Sequence, residues 1–323
     1  MKRNAQIGAA EAAGAGRREF ILACAGVATG LAGCRTSTAQ KGEFGGETTV
    51  LISDLHIGGA NKALEYTQGR FTKVVDAILA MDPLPRRVVC FGDIAMTYGL
   101  AVDYAVSKPM LKRLEAAGIE LHLTMGNHDR RSAFFREWPE YLANQVVPGR
   151  CTRVVDLGGC DLVLLDTLKG TDDRAENDMG PVEGTIDGPQ LEWFDSWVAA
   201  AKRPFFVGSH QFRDLYIDGP KPLRHAAASK CFAGWIYGHD HSWRPGFSAV
   251  SWGQAQVVQT LGLPSTGLWG DIGYVVFRTG PDGAVAELFQ DDFYFTTPDG
   301  RPPFWRQRIA DNAGSKVHFA FGR

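Results

Sequence analysis

The sequence lacks a long hydrophobic run and an excess of charge of either sign. Its longest stretch of apolar and small residues, 20–33, is too short to span a bilayer. The 34 lysines and arginines nearly balance the 36 aspartates and glutamates, which argues against a highly basic nucleic-acid binder. Hydrophobic residues make up 45% and charged residues 22%, a balance typical of globular proteins rather than coiled coils or disordered chains.

Closely paired cysteines are also missing. The chain has six cysteines, at positions 24, 34, 90, 151, 160 and 231. The last four show neither a CxxC motif nor another short paired spacing. Cys90 lies in an apolar run and is predicted to be a small buried hydrophobe. Cys151 and Cys160 flank a predicted hairpin at 158–159 in a register that would not bring them together, so we predict no disulfide framework.

Residues 1–33 have the composition of an export signal. Arg17 and Arg18 precede a short apolar stretch rich in alanine and glycine, which is the pattern of a signal peptide. The arginine pair resembles the twin-arginine class of signals. The stretch ends in Leu-Ala-Gly-Cys at 31–34, which resembles a bacterial lipobox, so cleavage is expected before Cys34 and a lipid on its thiol. The alternative is an ordinary signal peptide that happens to contain a cysteine.

The segment that follows, residues 34–46, is small and polar and is predicted to be a flexible tether. Residues 47–323 are then predicted to form one domain. Together these features predict an exported protein of the bacterial cell envelope or periplasm. Its contact with a membrane would be only through a lipid anchor at Cys34.

From residue 48 onward, short β-branched runs alternate with amphipathic stretches, which is the pattern of an α/β protein. The runs are apolar throughout, and this predicts strands buried on both faces of a sheet. They cover residues 48–53, 87–91, 120–125, 205–208 and 235–237. Helices are predicted at 71–81, 109–117 and 190–202, and a C-terminal hairpin at 273–279 and 284–290.

Each of these five apolar runs ends in polar residues that can bind metal. Strands that end at the same edge of a sheet deliver their last side chains to a common rim, where ligands usually bind. Glycines precede three of the residues and let the backbone turn sharply and approach a ligand closely. The residues are Asp54, His56, Asp93, Asn127, His128, Asp129, His210, His239 and His241.

The donors in this set are oxygen and imidazole nitrogen, without a thiolate. Such a set suits iron, manganese or zinc rather than a structural cysteine–zinc site. Any one of these residues alone would be better explained as a turn or cap residue. Without His128 and Asp129, the two carboxylates, one amide and four histidines that remain are more donors than one ion needs. The sequence therefore predicts two divalent or trivalent ions that share a bridging carboxylate, an arrangement that hydrolyses phosphate esters.

The order of the five elements resembles the signature of the calcineurin-like metallophosphoesterases. The resemblance covers about residues 48–245 and is closest to the branch of class III cyclic-nucleotide phosphodiesterases and purple-acid-phosphatase relatives. It implies a four-layer αββα sandwich, in which helices flank two mixed β-sheets and a dinuclear metal site lies at the strand ends. The elements are Asp-x-His at 54–56, Gly-Asp at 92–93, Gly-Asn-His-Asp at 126–129, His210, and Gly-His-x-His at 238–241.

The resemblance also divides seven ligands between two ions. Three residues would hold each ion and the seventh would bridge them. In that order they are Asp54, His56 and His241; Asn127, His210 and His239; and Asp93. Purple acid phosphatases place an iron-ligating tyrosine three residues after the bridging aspartate. That position is Met96 here, so an iron–tyrosinate site is not expected.

The implied activity is hydrolysis of phosphate mono- or diesters, with a small phosphoester as the substrate. A metal-bridging hydroxide would attack phosphorus in line, and His128 would protonate the departing alkoxide. Asp129 would orient His128 by accepting its other imidazole proton. Two alternatives stay open: a metal-binding scaffold that has lost catalysis, and a nuclease of the same superfamily. The near-neutral charge and the lack of a basic stripe argue against a specific nucleic-acid partner.

Side chains next to the motifs are expected to have supporting roles. Arg130 and Arg131 are predicted to be solvated charges rather than phosphate ligands. Trp243 is predicted to pack at the core or the rim. Substrate specificity is expected to come from the rim loops 169–183 and 213–230.

Overall fold

Fourteen strands and six helices are formed by the residues that the computed structural model describes, which are 46–59, 66–170, 172, 174–217, 221–251, 255–267, 273–289 and 312–322. In chain order they are β1 (Thr48–Ile52), α1 (Tyr66–Leu79), β2 (Arg87–Cys90), α2 (Ala101–Ala116), β3 (Glu120–Leu123), α3 (Arg131–Glu137), α4 (Glu140–Ala143), β4 (Arg153–Asp156), β5 (Asp161–Leu164), β6 (Gly184–Ile186), α5 (Gly188–Ala200), β7 (Phe205–Ser209), β8 (Leu215–Ile217), α6 (Lys221–Ala228), β9 (Phe232–Tyr237), β10 (Arg244–Ser251), β11 (Ala255–Gly262), β12 (Tyr274–Thr279), β13 (Gly283–Phe289) and β14 (Lys316–Ala320).

Two six-stranded mixed sheets account for most of the strands. The first has the order β14-β13-β12-β1-β2-β3, in which β1, β2 and β3 are parallel and the others antiparallel. The second has the order β10-β11-β9-β7-β5-β4, in which β5, β7, β9 and β11 are parallel and both edge strands antiparallel. Strands β6 and β8 form a separate, two-stranded parallel sheet. In each sheet, the carboxyl ends of the parallel strands therefore share one edge.

The sheets are packed face to face with helices outside, which makes four layers. Successive residues of a strand point to opposite faces. In β1, Val50 and Ile52 join a cluster with residues of α1, α2 and α3, whereas Leu51 packs between the two sheets. A third cluster joins the second sheet to residues of α5 and α6. This confirms the predicted αββα sandwich and explains why its central strands are apolar throughout.

The predicted strands and the C-terminal hairpin are present, with ends that differ by three residues at most. The helix predicted at 109–117 is wrong at its start, because α2 begins at Ala101 and contains Pro109 in its interior. Proline favours the first turn of a helix, so the sequence pattern placed the start too late. The preceding turns are held by buried Asp103 and Tyr104.

The hairpin predicted around residues 158–159 joins β4 to β5, and Gly158 takes the positive φ of 85° that its turn requires. The four cysteines of the described residues, 90, 151, 160 and 231, are free thiols, and Cys90 is fully buried in the core.

The predicted signal peptide, 1–33, and residues 34–45 of the tether lie outside the described residues. They stay predictions, as does the start of the domain at residue 47. Of the helices that the structure describes, none combines the length and the apolar character needed to cross a membrane.

The packing between the sheets gives a stability prediction. Phe206 of β7 is fully buried and contacts the rings of Phe277 and Phe319 in the first sheet, at centroid distances of 5.3 and 5.0 Å. We expect Phe206→Ala to lower the free energy of unfolding by about 3–5 kcal/mol, because the cavity cannot close completely. Urea denaturation measures this. Phe247→Ala is the matched control, since that ring is 73% exposed and its removal should change little. Equal losses in both variants would contradict this account of the core.

Candidate metal centre

The residues predicted to bind metal follow the carboxyl ends of parallel strands in both sheets. The first sheet contributes the turns after β1, β2 and β3, and the second contributes those after β7 and β9. In chain order the first group is Asp54, His56, Asp93 and Asn127, and the second is His210, His239 and His241. The face-to-face packing of the sheets brings the two groups to one rim.

Two clusters of possible ligands are formed, and Asp93 belongs to both. Within each cluster the ligand atoms lie within 4.8 Å of one another. The amide oxygen Oδ1 of Asn127 lies 3.2 Å from Nε2 of His210 and so borders the second cluster. The first cluster is Asp54, His56, Asp93 and His241, and the second is Asp93, His210 and His239.

Backbone carbonyls orient two of the imidazole rings. Nδ1 of His56 lies 2.9 Å from the carbonyl oxygen of Met96, and Nδ1 of His210 lies 2.7 Å from that of Phe91. A carbonyl oxygen only accepts hydrogen bonds, so Nδ1 carries the proton in both rings. In the neutral rings Nε2 therefore presents a lone pair to the cluster, which is the form that binds a metal ion.

The ligand atoms lie very close to one another, and a bound cation would relieve the repulsion between them. Oδ1 of Asp54 is buried and makes no geometrically acceptable hydrogen bond within the described part of the chain, and Nε2 of His241 lies 3.1 Å from it. Nε2 of His241 also lies 3.2 Å from Nε2 of His56. In the second cluster, Nε2 of His210 lies 3.1 Å from Oδ2 of Asp93. A metal ion would take the place of the protons shared between these atoms, and the oxygen–nitrogen donor set fits iron, manganese or zinc.

Backbone strain is concentrated at the same residues. Five non-glycine residues of the described chain have positive φ, and all five are predicted ligands. Side chains rarely adopt this left-handed region, and such strain persists mainly at functional sites where the surrounding structure holds it. The residues, with φ between 47° and 65°, are Asp54, His56, Asp93, His239 and His241.

Two glycines allow the ligand turns to approach closely. A Cβ on Gly126 would lie 2.2 Å from Oδ1 of Asp93. A Cβ on Gly238 would lie 2.1 Å from Oγ of Ser53 and 3.0 Å from Oδ2 of Asp54. These contacts are shorter than carbon can tolerate, so the two positions require glycine for space rather than for a positive φ.

The electrostatics of the cluster are dominated by the proximity of acids and imidazoles. Burial raises the pKa of Asp54, but His241 and His210 outweigh it and hold the pKa well below its ordinary value. Burial lowers the pKa of His210, but the carboxylates of Asp93 and Asp54 raise it to about 9. At His56 burial prevails and lowers the pKa to about 4. The carboxylates are therefore ionised and ready to bind a cation.

The predicted contact between His128 and Asp129 is wrong. Nδ1 of His128 lies 3.1 Å from the carbonyl oxygen of Thr97, which orients the ring in place of the carboxylate. Asp129 is fully buried, and its carboxylate accepts hydrogen bonds of 2.9–3.3 Å from the backbone of Ile94, Ala95 and Gly126 and from the hydroxyl of Tyr104.

Asp129 therefore joins two ligand turns to each other. The backbone amides that donate hydrogen bonds to its carboxylate follow Asp93 on one turn and precede Asn127 on the other. Burial and the neighbouring Asp93 raise the pKa of Asp129 to about 6. The hydrogen bonds of the Asp129 carboxyl group fix the backbone around the cluster. Asp129 is connected to His128, the candidate proton donor, only as its neighbour in the sequence.

The prediction that the two arginines after this turn are solvated is wrong. Arg130 is buried against backbone carbonyls of the segment around residue 175. Arg131 forms a paired ionic contact with the buried carboxylate of Asp166, at 2.8 and 2.9 Å. Trp243 is buried and packs in the core, in agreement with its predicted role.

One supporting loop was missed by the sequence reasoning. The hydroxyl of Ser265 donates to the carbonyl of Asp54 at 2.8 Å, and the amide of Thr266 donates to that of Ser53 at 2.9 Å. This loop, Leu-Pro-Ser-Thr-Gly at 263–267, holds the strained turn after β1. The run of turn-forming residues marks a loop, but only the fold shows which turn it supports.

A cavity of about 260 Å³ opens over the cluster. The ring of His128 is partly exposed in it, with Nε2 4.0 Å from Oδ2 of Asp93. Two residues of segment 174–182 and the turn after β9 complete the lining. The lining residues are Asp93, Asn127, His128, Met179, Val182, His239, Asp240 and His241.

Two neighbouring ligand clusters with one shared carboxylate, at the rim of a four-layer sandwich, define a candidate dinuclear metal centre. The chain belongs to the calcineurin-like phosphoesterase family, whose model matches residues 48–243. The family places it among the metal-dependent phosphoester hydrolases in general.

A solved structure with a TM-score above 0.5 supports the fold. A dimetal phosphatase from Danio rerio is 16% identical, covers 75% of this chain and 95% of its own, and has a TM-score of 0.54. An NAD nucleotidase from Haemophilus influenzae is 13% identical over 82% of this chain and 62% of its own, with a TM-score of 0.41. Vps29 from Chaetomium thermophilum is 12% identical over 85% of this chain and 99% of its own, with a TM-score of 0.38. No curated protein matches the chain.

The close approach at Gly126 gives a prediction about metal binding. We expect Gly126→Ala to displace Asp93 and to weaken metal binding by about tenfold or more, as losses of supporting contacts around metal ligands do. Elemental analysis after dialysis against dilute Mn²⁺ measures the ions retained per chain. Gly69→Ala in α1 is the control, because a Cβ there meets no atom within 4 Å. Full metal content in the Gly126 variant would show that the turn is not part of a metal site.

Proposed function

We propose that the protein hydrolyses phosphate mono- or diesters at a dinuclear metal centre, with His128 as the acid. The observation that supports this most strongly is the pair of ligand clusters that share Asp93 under an open cavity. In this proposal Asp54, His56 and His241 hold one ion. The second ion is held by three further residues, Asn127, His210 and His239.

The donor atoms fit this assignment in number and chemistry. The first cluster offers two carboxylates and two imidazoles, and the second offers the shared carboxylate, two imidazoles and the neighbouring amide. When bound, paired ions supply a nucleophilic water and neutralise the charge that builds up on the phosphoryl oxygens. The nearby Nε2 atom of His128 lies at the edge of this cluster.

The surroundings of His128 support its proposed role as the proton donor to the leaving group. Its Nδ1 is held by the carbonyl of Thr97, so Nε2 is the atom that faces the cavity. In the imidazolium form Nε2 carries a proton and can donate it to the oxygen of the departing alcohol. The ring also packs edge to face against His56, at a centroid distance of 4.8 Å, and this contact limits its rotation.

This function predicts the behaviour of a His128→Ala variant. The metal-loaded protein should hydrolyse p-nitrophenyl phosphate or bis(p-nitrophenyl) phosphate, and the variant should keep its metal. On an alkyl ester such as glycerol 2-phosphate the variant should lose about 10²–10⁴-fold in kcat, because the departing alkoxide lacks its proton donor. The loss on the p-nitrophenyl esters should be smaller, because their leaving group departs as a stable anion. A steady-state assay with added Mn²⁺, and with chelator, measures this. His225→Ala is the control, since that ring lies exposed on α6 beside Asp195.

The two alternative functions have distinct outcomes in the same assay. A metal-loaded protein that turns over no phosphoester under any condition would favour the scaffold. Cleavage of plasmid or single-stranded DNA that is much faster than cleavage of small esters, and that falls steeply with salt, would favour the nuclease.

We also propose that the protein is exported and anchored by a lipid at Cys34. This rests on the arginine pair and on the Leu-Ala-Gly-Cys pattern at 31–34. In a bacterial host the full chain should label with palmitate and sediment with membranes, and Cys34→Ser should abolish the label. Replacement of Arg17 and Arg18 by lysine should block export. A labelled band that persists in the serine variant would refute the anchor.

A further inference from the structure

The cavity has an apolar wall that the metal chemistry does not use. Apart from the predicted ligands and His128, its lining consists of Met179, Val182 and Asp240. The described residues that line it include no lysine or arginine, although Arg213 and Arg244 contact the carboxylate of Asp240 from outside the lining. At about 260 Å³ the cavity is slightly smaller than the roughly 300–1,000 Å³ typical of ligand sites.

Arg174 ties this wall to the turn that carries His128. Its Nη2 donates to the carbonyl of Asp129 and its Nη1 donates to the carbonyl of Met179, both at 2.7 Å. The guanidinium passes so close to Gly180 that a Cβ there would lie 2.1 Å from Nη1. One planar group thus fixes the distance between the backbone beside the acid candidate and the backbone of the wall.

Arg130 holds the same segment along its length. Its Nε donates to the carbonyl of Tyr98 at 2.7 Å. Its two terminal nitrogens donate at 2.5–3.4 Å to the carbonyls of Asp172, Arg174, Ala175 and Asp178. All five donors of the guanidinium are therefore used within the protein, and Arg130 is not available to bind a substrate phosphate.

Val182 is fixed in the same way from the second sheet. Its carbonyl accepts a hydrogen bond of 3.1 Å from Nε2 of Gln211. Gln211 is fully buried and directly follows the predicted ligand His210. The backbone of both apolar residues is thus linked by hydrogen bonds to the turns that carry the predicted ligands. Apolar contacts with a ligand are most effective when the surface is held in place beforehand.

We propose that Met179 and Val182 recognise an uncharged apolar substituent on the phosphoester substrate, and that Arg174 is the positioning residue for this wall. The proposal rests on the proposed function, since the phosphate is taken to bind at the metal cluster. Asp240 lines the same cavity, but its carboxylate is paired with Arg244 at 3.1 Å and with Arg213 at 3.4 Å, so the apolar side chains are the part of the lining left to select the substituent.

Binding of phosphonates tests the wall without turnover. Calorimetry on the Mn²⁺-loaded protein should show phenylphosphonate bound about tenfold more tightly than methylphosphonate. The double variant Met179→Ser, Val182→Ser should remove this preference and leave methylphosphonate affinity unchanged. Val146→Ser is the control, because Val146 is 43% exposed, close to the 41% of Val182, and lies outside the cavity lining. Equal affinities for the two phosphonates in the unmodified protein would overturn the proposal.

Kinetics test the positioning role of Arg174. Lysine keeps the charge but cannot reach both carbonyls, so Arg174→Lys should raise KM for phenyl phosphate by about 5- to 10-fold with little change in kcat. KM for glycerol 2-phosphate should stay within about twofold, as should the inhibition constant of inorganic phosphate. Arg203→Lys, on the surface beside Asp156, is the control. A fall in kcat that is equal for both esters would indicate a general structural role and refute the assignment.

The hydrolytic activity and the apolar wall can be refuted separately. A protein that binds the phosphonates with the expected preference but hydrolyses no phosphoester would contradict the proposed function and leave the wall supported. Hydrolysis of small esters without any preference for the phenyl group would support the function and overturn the wall.

Discussion

The convergence of acceptor and lone-pair atoms on a strained backbone is the constraint on which the rest of the structure depends. Five ligand residues adopt positive φ, and each such residue costs on the order of 1 kcal/mol or more. In addition, nitrogen and oxygen donors approach to 3.1–3.2 Å with buried carboxylates among them. Neither condition would persist in an isolated loop. The surrounding fold must supply compensating contacts, and most of the unusual features of the chain have that effect.

The compensating contacts come from a neighbouring loop, from the ligand turns themselves and from the strands below them. The loop at 263–267 holds the turn after β1 through the carbonyls of Ser53 and Asp54. The carboxylate of Asp129 binds the turn after β2 to the turn after β3. Glycine at 126 and 238 removes the atoms that would otherwise keep the turns apart. Beneath them, alternate residues of β1 and β2 fill the two apolar clusters on either side of the sheet, so the strand ends cannot shift independently.

The sequence predicted the parts of this arrangement that are local, and missed those that depend on distant segments. Apolar strands that end in Asp, His and Asn are visible in a single sequence, because strand, turn and donor are consecutive residues. The predicted partner of Asp129 was wrong because two of its three amide donors are 34 and 35 residues away. The burial of Arg130 was missed for the same reason: charged residues normally remain in water, and the carbonyls that replace water lie 42–48 residues further along the chain. The start of α2 was missed because a local signal, Pro109, was given more weight than the packing of Tyr104.

The division of the donors between the two sheets has a consequence for the whole molecule. Each cluster combines residues from β1–β3 turns with residues from β7 or β9 turns, so an ion seated in either would act as a cross-link between the layers. Whatever binds the native state alone stabilises it in proportion to the logarithm of its free concentration. The resistance of this protein to heat or proteolysis would then follow the supply of metal in its surroundings, and cofactor loading would be inseparable from the integrity of the sandwich.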